Sequence, residues 1–334
     1  MNNAFSNYVY TTTHEYDRQG NLTETSKEAK YGMAWIVTNY QYEYDSLGNR
    51  TKQIVNGEVT KYHYDYFNLL QSSTTGNRTT TYYHDDNGNL ISEKREDGSI
   101  IKEYSYDVEN HLTYTTEYSS SRKILKSQDI KYNGNGQRIR KSSSSTTEGT
   151  KNTYYSYEGS SLLYATSQAN AGIDEADIIY FNGIGMAEDQ ISVDQWTSYG
   201  YTKDSRGSTS NLISSSGSTI ASYKYDDYGE TQENVTLTGI HNKVMYTGQV
   251  YDEDSGQYYM NARYYDPGKA RFITEDPIRD GYNWYAYCGN DPINRIDPTG
   301  LKSVIRKPYL SDQYPNFPSG GESDALKITL QKIK

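Results

Sequence analysis

The sequence predicts an all-β protein built as a meander of antiparallel hairpins. Tyr supplies 38 of the 334 residues, and its flat ring suits a pleated sheet. A short turn motif recurs along the first part of the chain, and aromatic residues alternate with polar ones beside it. Only 34% of the residues are hydrophobic, so a thick aliphatic core is not expected.

The turn motif occurs in six stretches: HEYDRQGNL, YEYDSLGNR, YHYDYFNLL, YYHDDNGNL, YSYDVENHL and IKYNGNGQR. Its first column is Asp or Asn, whose side chain accepts a hydrogen bond from the backbone two residues on. This column holds Asp17, Asp45, Asp65, Asp85, Asp107 and Asn133, spaced by 28, 20, 20, 22 and 26 residues. Three positions later stands Gly or Asn, which enter the left-handed region most readily. These are Gly20, Gly48, Asn68, Gly88, Asn110 and Gly136. The two columns predict a tight turn.

Alternating residues flank each turn. From Tyr40 to Tyr44 every second residue is Tyr, which places the rings on one face of a strand. A looser turn with Gly57 or Gly98 follows the second strand of a unit, which completes a hairpin meander. Two further units are predicted at Asp204 with Gly207 and at Asp226 with Gly229.

Two other interpretations of the repeat are open to the sequence. The Asp column suggests calcium binding, but it offers one carboxylate per unit, whereas Ca²⁺ takes about six to eight oxygen ligands. The Tyr rows suggest a platform for sugars or bases, and a stacked sheet face is the plainer interpretation. Between the repeats, the polar run 142–149 indicates a loop, and residues 173–185 predict a strand that ends in a turn.

Composition narrows the function classes. The net charge is −10 and the basic residues are dispersed, which argues against nucleic-acid binding through the repeats. Cys288 is the only cysteine, so an intramolecular disulfide is excluded. The N-terminal stretch MNNAFSNYVY does not have the pattern of a signal peptide. A membrane span needs about 18 apolar residues in a row, and the sequence contains no such run.

The repeat unit resembles the YD repeat, also called the Rhs repeat. Residues 246–301, YTGQVYDEDSGQYYMNARYYDPGKARFITEDPIRDGYNWYAYCGNDPINRIDPTGL, are very similar to the Rhs repeat-associated core. Ala270 stands where that family usually has Gly, and Asp291-Pro292 replaces Asn-Pro. The resemblance implies a sheet that curls or spirals into a partial β-shell, closed by a short C-terminal core plug. It divides the chain into repeats at 1–196, a core at 197–301 and a variable tail at 302–334.

The core resemblance also implies chemistry. Its closing motif, from Pro292 to Leu301, is an autoproteolysis site in that family, so the implied scissile bond is Leu301–Lys302. The resemblance implicates an aspartyl mechanism in which Asp276 and Asp297 share a proton. Arg271 is the candidate for orienting a carboxylate or stabilising the oxyanion. The alternative is that Asp276 and Asp297, like Asp266 and Asp291, are structural Asp-Pro turns.

Other site chemistry is weakly indicated. A lone Cys288 is more often buried and inert than a nucleophile. The sequence holds no metal-ligand pair of His or Cys at a characteristic spacing and no phosphate-binding Gly loop, so we expect no metal and no cofactor. The 33 residues from Lys302 to Lys334 are short for a folded toxin, so a truncated or degenerate toxin segment is expected.

Two functions follow. The first is the shell segment of a secreted, polymorphic-toxin-type protein that encapsulates or presents a C-terminal cargo and cleaves itself after Leu301. Its expected partners are that cargo or the rest of a longer chain, with an immunity protein or a cell-surface glycan as further candidates. The alternative is a non-catalytic surface adhesin or carbohydrate-binding protein. The resemblance places either one outside the cell or at its wall, and any enzymatic activity is limited to one self-cleavage.

Overall fold

The computed structural model describes residues 10–31, 34–181, 185–192, 195–236 and 240–306. Within these ranges the chain forms 26 β-strands, three single turns of 3₁₀ helix (Ile173–Glu175, Tyr246–Gly248 and Cys288–Asn290) and no α-helix. The strands of the first half are β1 Tyr10–Tyr16, β2 Leu22–Tyr31, β3 Ala34–Tyr44, β4 Arg50–Val55, β5 Glu58–Tyr64, β6 Leu70–Thr75, β7 Arg78–His84, β8 Leu90–Arg95, β9 Ile100–Tyr106, β10 Leu112–Tyr118, β11 Ile124–Tyr132, β12 Arg138–Ser145 and β13 Gly149–Glu158. The remainder are β14 Ser161–Thr166, β15 Ile178–Phe181, β16 Met186–Ser192, β17 Gln195–Lys203, β18 Thr209–Ser214, β19 Thr219–Tyr225, β20 Thr231–Thr236, β21 Val250–Asp252, β22 Gln257–Met260, β23 Arg263–Asp266, β24 Arg271–Phe272, β25 Arg295–Ile296 and β26 Val304–Ile305.

Strands β1 to β20 form one sheet in which each strand pairs antiparallel with the next. A four-stranded sheet follows, from β21 to β24, and then the pair β25–β26. The large sheet is not closed by a pairing between its first and last strands. The predicted all-β hairpin meander is therefore confirmed.

The turns have the chemistry that the sequence predicts. In the fourth unit, Asp85 Oδ1 accepts hydrogen bonds from the amides of Asn87, at 3.0 Å, and Asn89, at 2.9 Å. Gly88 closes the turn with φ 77° and donates its amide to the Asp85 carbonyl. The equivalent Gly and Asn residues of the other five units also have positive φ, between 64° and 88°. The Asp carboxylates are thus occupied by backbone amides, which supports the turn interpretation over calcium binding.

The Tyr that precedes the Asp couples one unit to the unit before it. Its hydroxyl donates to a backbone carbonyl on the first strand after the preceding turn. The pairs are Tyr44 with Leu22 (2.8 Å), Tyr64 with Arg50 (3.0 Å), Tyr106 with Leu90 (2.7 Å), Tyr132 with Leu112 (2.7 Å) and Tyr225 with Thr209 (2.9 Å). Each hydroxyl therefore stays satisfied while its ring is removed from water.

Two local predictions differ from the structure. Residues 142–145 were expected in a loop, yet they complete β12 and pair with both β11 and β13. Backbone hydrogen bonds from two neighbouring strands outweigh the low strand preference of Ser. The strand predicted within 173–185 is confined to Ile178–Phe181, after a 3₁₀ turn at Ile173–Glu175, and residues 182–184 lie outside the described ranges.

The sheet curls so that its last turn meets its third strand. Tyr42 donates its hydroxyl to Asp227 Oδ2 at 3.0 Å, and Tyr44 and Tyr228 share a hydrogen bond of 2.6 Å. Lys27 Nζ lies 3.2 Å from Asp227 Oδ1. Residues from both ends of the sheet therefore meet on its concave side.

The small sheet packs against this concave face. One cluster of buried side chains joins Tyr199, Tyr201 and Tyr223 of the large sheet to Tyr258 and Tyr265 of the small one. The predicted division at residues 196 and 197 falls inside β17, and the large sheet continues to Thr236. A separate core unit at 197–301 stays a prediction.

Candidate functional site

The small sheet is fixed to the large one by a buried ion-pair network. Asp252, at the end of β21, contacts Arg138 Nη1 at 3.1 Å and Lys141 Nζ at 2.8 Å. Gln128 donates to the same carboxylate at 2.7 Å. Burial would raise the pKa of Asp252, but Lys141 and Arg138 outweigh it and hold that pKa well below its ordinary value. The network therefore sets where β22 and β23 lie.

Asparagine side chains attach the following loop to the edge of the large sheet that carries the Asp turns. Asn290 Nδ2 donates to the Gly48 carbonyl at 2.7 Å and to Asn21 Oδ1 at 3.0 Å. Asn283 Nδ2 donates to Asn49 Oδ1 at 2.8 Å. The residues from 274 to 301 are therefore held against a row of rigid turns.

The two predicted catalytic carboxylates both lie within ion-pair distance of one guanidinium. Arg263 Nη2, from β23, is 3.6 Å from Asp276 Oδ2 and 3.8 Å from Asp297 Oδ2. All three residues are buried, with 5%, 5% and 3% of their surface exposed. The structure thus brings Asp276 and Asp297 to the same guanidinium nitrogen.

Asp297 faces the segment that contains the predicted cut. Its Oδ1 accepts hydrogen bonds from the amides of Thr299, at 3.2 Å, and Gly300, at 2.9 Å. Burial raises the pKa of Asp297, and Arg263 together with the backbone amides offsets only part of that effect. This carboxyl therefore takes up a proton more readily than an exposed one.

Arg263 also binds the chain beside the cut. Its Nε donates to the Gly300 carbonyl, and its Nη1 donates to the Trp284 carbonyl at 2.7 Å. The guanidinium carbon lies 3.6 Å from the centre of the Phe272 ring. Burial lowers the pKa of Arg263 to about 10, against the opposing effect of the two carboxylates, so the side chain stays cationic at neutral pH.

Arg271 lies elsewhere. Its Nη2 donates to the Asn68 carbonyl, and its guanidinium lies between the rings of Tyr64, at 4.9 Å, and Tyr285, at 4.8 Å. These contacts bind the core to the third turn. Arg263, which the sequence patterns did not single out, lies beside the two carboxylates, where Arg271 was predicted to lie.

The backbone before the cut is held closely against the β22–β23 hairpin. The Thr299 carbonyl accepts the Ala262 amide at 3.0 Å, and the Pro298 carbonyl accepts Nδ2 of Asn261 at 3.2 Å. Gly300 has φ 70°, and a Cβ at this position would come within 2.4 Å of the Met260 carbonyl oxygen. Only glycine fits there without a backbone shift.

The backbone after the cut is held as well. Strands β25 and β26 pair with the register Arg295–Ile305 and Ile296–Val304, so the Leu301–Lys302 bond lies in the loop between them. A cavity of about 390 Å³ opens beside this loop, lined by Arg263, Asp276, Asp297, Leu301 and Lys302 among others. A second, polar groove of about 810 Å³ reaches Asp276 and Leu301 from the turns of the fourth to sixth units. The predicted bond is thus next to the carboxylates and within reach of solvent.

Other site chemistry is limited in the described part of the chain. Cys288 is buried, and burial raises the pKa of its thiol well above the ordinary value. Among the described residues no group of three or more His, Cys, Asp or Glu side chains is placed to hold a metal ion. In the same ranges, no helix has the length and apolar character needed to cross a membrane.

Comparison with known proteins adds relatives of the whole segment. The chain is 31% identical over 279 residues to the tRNA3(Ser)-specific nuclease WapA of Bacillus spizizenii, which is 79% of this chain and 11% of the relative. It is 31% identical over 273 residues to the tRNA nuclease WapA of Bacillus subtilis, again 79% and 11%. The protein YibJ of Escherichia coli is 41% identical over 106 residues, 31% of this chain and 45% of YibJ.

Among solved structures, the Photorhabdus luminescens Tc holotoxin pore matches 91% of this chain and 18% of its own, with 17% identity and a TM-score of 0.49. No protein-family model matches the chain. The chain spans about a tenth of the length of the WapA proteins that it matches. On its repeat units, its core motifs and these sequence relatives, the chain belongs to the YD-repeat, or Rhs-repeat, proteins and carries an Rhs repeat-associated core.

Proposed function

We propose that this chain is the core-bearing segment of a YD-repeat shell in a polymorphic-toxin-type protein, and that it cuts its own backbone between Leu301 and Lys302. The observation that carries the proposal is the Arg263 guanidinium. It contacts both Asp276 and Asp297, and it donates to the carbonyl one residue before the predicted cut. An Asp-Pro turn that served only the fold would not need a shared, buried cation directed at that backbone.

The burial of the Tyr rows supports a shell over an adhesin. Tyr40, Tyr42, Tyr82 and Tyr104 are each at most 7% exposed, whereas a glycan platform needs open ring faces. Their rings point into the concave side, where the small sheet packs. Because these rings are packed in the core, their faces are not available to stack on sugars.

The small sheet also suggests which part of a shell this is. Because β21 to β24 pack on the concave face of the curled sheet, this segment acts as a closed end. Cargo would then lie beyond the segment, in the rest of a longer chain or downstream of Leu301. The WapA relatives are named as tRNA nucleases, which makes a toxin the proposed cargo class. Secretion, a cell-wall location and an immunity protein that binds the toxin belong to the same proposal.

The proposed reaction is hydrolysis of one peptide bond. A water molecule attacks the Leu301 carbonyl carbon, a C–O bond forms and the C–N bond to Lys302 breaks. Asp276 takes one proton from the water, and Asp297 gives its proton to the leaving nitrogen. The second water proton passes from the new Leu301 carboxyl group to the amine, so the products are a carboxylate at Leu301 and an ammonium group at Lys302. A pair of carboxyl groups in different protonation states suits this exchange.

We assign the roles from the contacts of the three residues. Asp297 is the proton-bearing member, because burial raises its pKa and its amide contacts fix it beside Leu301. Asp276 is then the member that takes a proton from water, which reaches it from the polar groove. Arg263 fixes both carboxyls and holds the Gly300 carbonyl, so that the next carbonyl along the chain stays in place.

The test is the intact mass of the purified chain under denaturing conditions. We expect a fragment that ends at Leu301, and we expect it to disappear in Asp276→Asn and in Asp297→Asn. Asp291→Asn is the matched control, because Asp291 also precedes a Pro but caps the turn at Asn294. An uncut wild-type chain would refute the self-cleavage. Loss of the cut in all three variants alike would point to a folding effect.

A further inference from the structure

We propose that strand β3 presents an open edge at residues 36–38, and that a second copy of this chain adds its own β3 to that edge to form a two-fold dimer. The proposal does not depend on self-cleavage, because the edge lies at the end of β3 that is remote from the Asp turns and the predicted cut. Its basis is an unpaired stretch of backbone whose side chains are apolar on both faces of the strand.

Strand β3 is longer than its neighbour β4. Its pairing with β4 begins at Tyr40, whereas its pairing with β2 continues to Ala34. Asn39 lies where the β4–β5 hairpin ends, and it exchanges two hydrogen bonds with Asn56: its amide donates to Oδ1 at 3.2 Å, and its carbonyl accepts the amide at 3.1 Å. Within the described ranges, residues 36–38 are therefore paired with β2 alone.

The contacts of Asn39 show which way the backbone groups before it point. In a paired strand the amide and carbonyl of every second residue point to the same side. Both groups of Asn39 point to the side of β4, so those of Val37 point there as well, beyond the end of that neighbour. The groups of Ile36 and Thr38 point to β2 instead. The open edge therefore offers one donor and one acceptor at Val37.

The side chains along this edge are apolar on both faces of the strand. Trp35 and Val37, which are 51% and 47% exposed, lie on the outer face. Ile36, which is 54% exposed, lies on the same face as Tyr40. The sequence contains no charged residue from position 34 to position 42. Strands with two apolar faces are normally covered on both, so this edge exposes surface that another strand would cover.

Strand β13 has an open edge of the same kind with different side chains. Residues 149–153 pair with β12, whereas the pairing with β14 begins at Tyr154. This stretch carries Lys151 and Asn152, and both are exposed. Charged side chains, Lys above all, are the usual protection of a sheet edge against pairing with another chain. The edge of β3 has no such protection, which distinguishes it from β13 as a pairing surface.

A second copy of β3 has the properties that the edge requires, because it is uncharged, apolar on both faces and open on the matching side. With one Val37 opposite the other, a two-fold antiparallel contact forms both backbone hydrogen bonds between them and places Ile36 opposite Thr38 of the other copy. Such β-branched pairs stabilise a strand ladder. Lys27 and Glu28, which are opposite Thr38 and Val37, lie on β2, one strand away from the new contact. Since both edges are used, association ends at the dimer.

The experiment measures the native mass of the full chain by sedimentation from about 1 µM to about 200 µM, a range that covers weak protein interfaces. We expect monomer at the low end and dimer at the high end. Val37→Lys puts a charge on the edge, and Val37→Pro removes the outward amide while the bonds to β2 remain. Each should raise the dissociation constant at least tenfold. Asn152→Lys, on the open edge of β13, is the matched control and should dimerise as the wild type does.

Hydrogen exchange at the two concentrations locates the contact. The backbone amides of residues 34–39 should exchange more slowly at the high concentration, and those of residues 149–153 should not change. A wild-type chain that stays monomeric throughout overturns the proposal, and so does a dimer that forms equally well in Val37→Lys, whose folding is checked by its melting temperature. Growth beyond the dimer, or a dimer without slowed exchange at residues 34–39, overturns it as well. The cut at Leu301 is read separately, from the denatured mass.

Discussion

Arg263 Nε donates a hydrogen bond to the carbonyl oxygen of Gly300, and the same guanidinium forms ion pairs with Asp276 and Asp297. One side chain therefore connects the two candidate acids to the backbone that they would cut. Removing it would leave two buried carboxyl groups without their shared cation.

We expect Arg263→Gln to slow the cut by about 100-fold or more, the scale seen when a positioned hydrogen-bond donor is lost. Arg263→Lys keeps the charge but cannot contact both carboxyls and the carbonyl at once, so partial activity is expected. The measurement is the fraction of cut chain over time by denaturing mass. Arg271→Lys is the control, because its contacts join the core to the third turn; equal loss in both Lys variants would contradict the assignment of Arg263.

Gly300→Ala should both destabilise the core and stop the cut. The new Cβ meets the Met260 carbonyl oxygen at 2.4 Å, so the strand before Leu301 must move. Gly98→Ala is the matched control, since Gly98 has φ 76° but open space around it. A positive φ alone costs about 1 kcal/mol. The melting temperatures of the two variants check the difference, and equal shifts would mean that the close approach is unimportant.

Asp252→Ala should lower the free energy of unfolding by about 3–5 kcal/mol, because Arg138 and Lys141 would stay buried with no partner carboxylate. Glu148→Gln, which removes an exposed ion pair with Lys151, should have no measurable effect. Urea unfolding of both variants gives the comparison. A small effect of Asp252→Ala would show that water replaces the lost carboxylate.

The contribution of Asp252 to stability should decrease in acid. The pKa of Asp252 is depressed in the folded chain, so its contribution to stability is complete above the unfolded pKa of about 4. It is lost as pH falls through the lower folded pKa. The stability difference between wild type and Asp252→Asn should therefore shrink in strong acid. Melting temperatures at pH 6 and at pH 2 to 3 test this, and a difference that grows in acid would contradict it.

The contribution of His241 to stability should decrease as pH rises, which is opposite to that of Asp252. Its Nδ1 lies 2.7 Å from Asp189 Oδ1, and this hydrogen bond raises the pKa of His241 above its usual value, against the effect of burial. The stabilisation is present in full below the unfolded pKa of about 6.5 and is lost as pH rises through the raised folded pKa. His241→Gln should therefore cost more stability at pH 5.5 than at pH 8.5. Melting curves at the two pH values check the sign.

Much of the fold follows from short-range sequence chemistry. The Asp-to-Gly turn and the alternating Tyr are local, and both have the predicted geometry from Asp17 to Gly136. Ser142 to Ser145 could not be assigned from their own preferences, because their strand exists through pairing with β11 and β13. The Tyr hydroxyl contacts to the preceding unit were missed for a similar reason. They depend on the register between units.

The candidate site, like the fold, could be predicted from the sequence only in part. Asp276 and Asp297 could be named because their motifs resemble those of a family. Arg263 could not, since its position near them depends on how β23 packs beside the closing loop. Arg271 was the nearer cation in sequence to Asp276, but the Asn68 carbonyl and two rings hold it away. Closeness along the chain was a poor guide to closeness in space.

The repeat units differ in strand length, and the extra residues lie at one edge of the sheet. Strands β4 to β9 have six or seven residues, while β2 and β3 have 10 and 11. All of these units begin from the same Asp turn, and asparagines of the core dock on that edge. Longer units therefore extend at the opposite edge. One edge of the sheet is therefore level where the core docks, and the other is uneven and can accommodate insertions far from the predicted cut site.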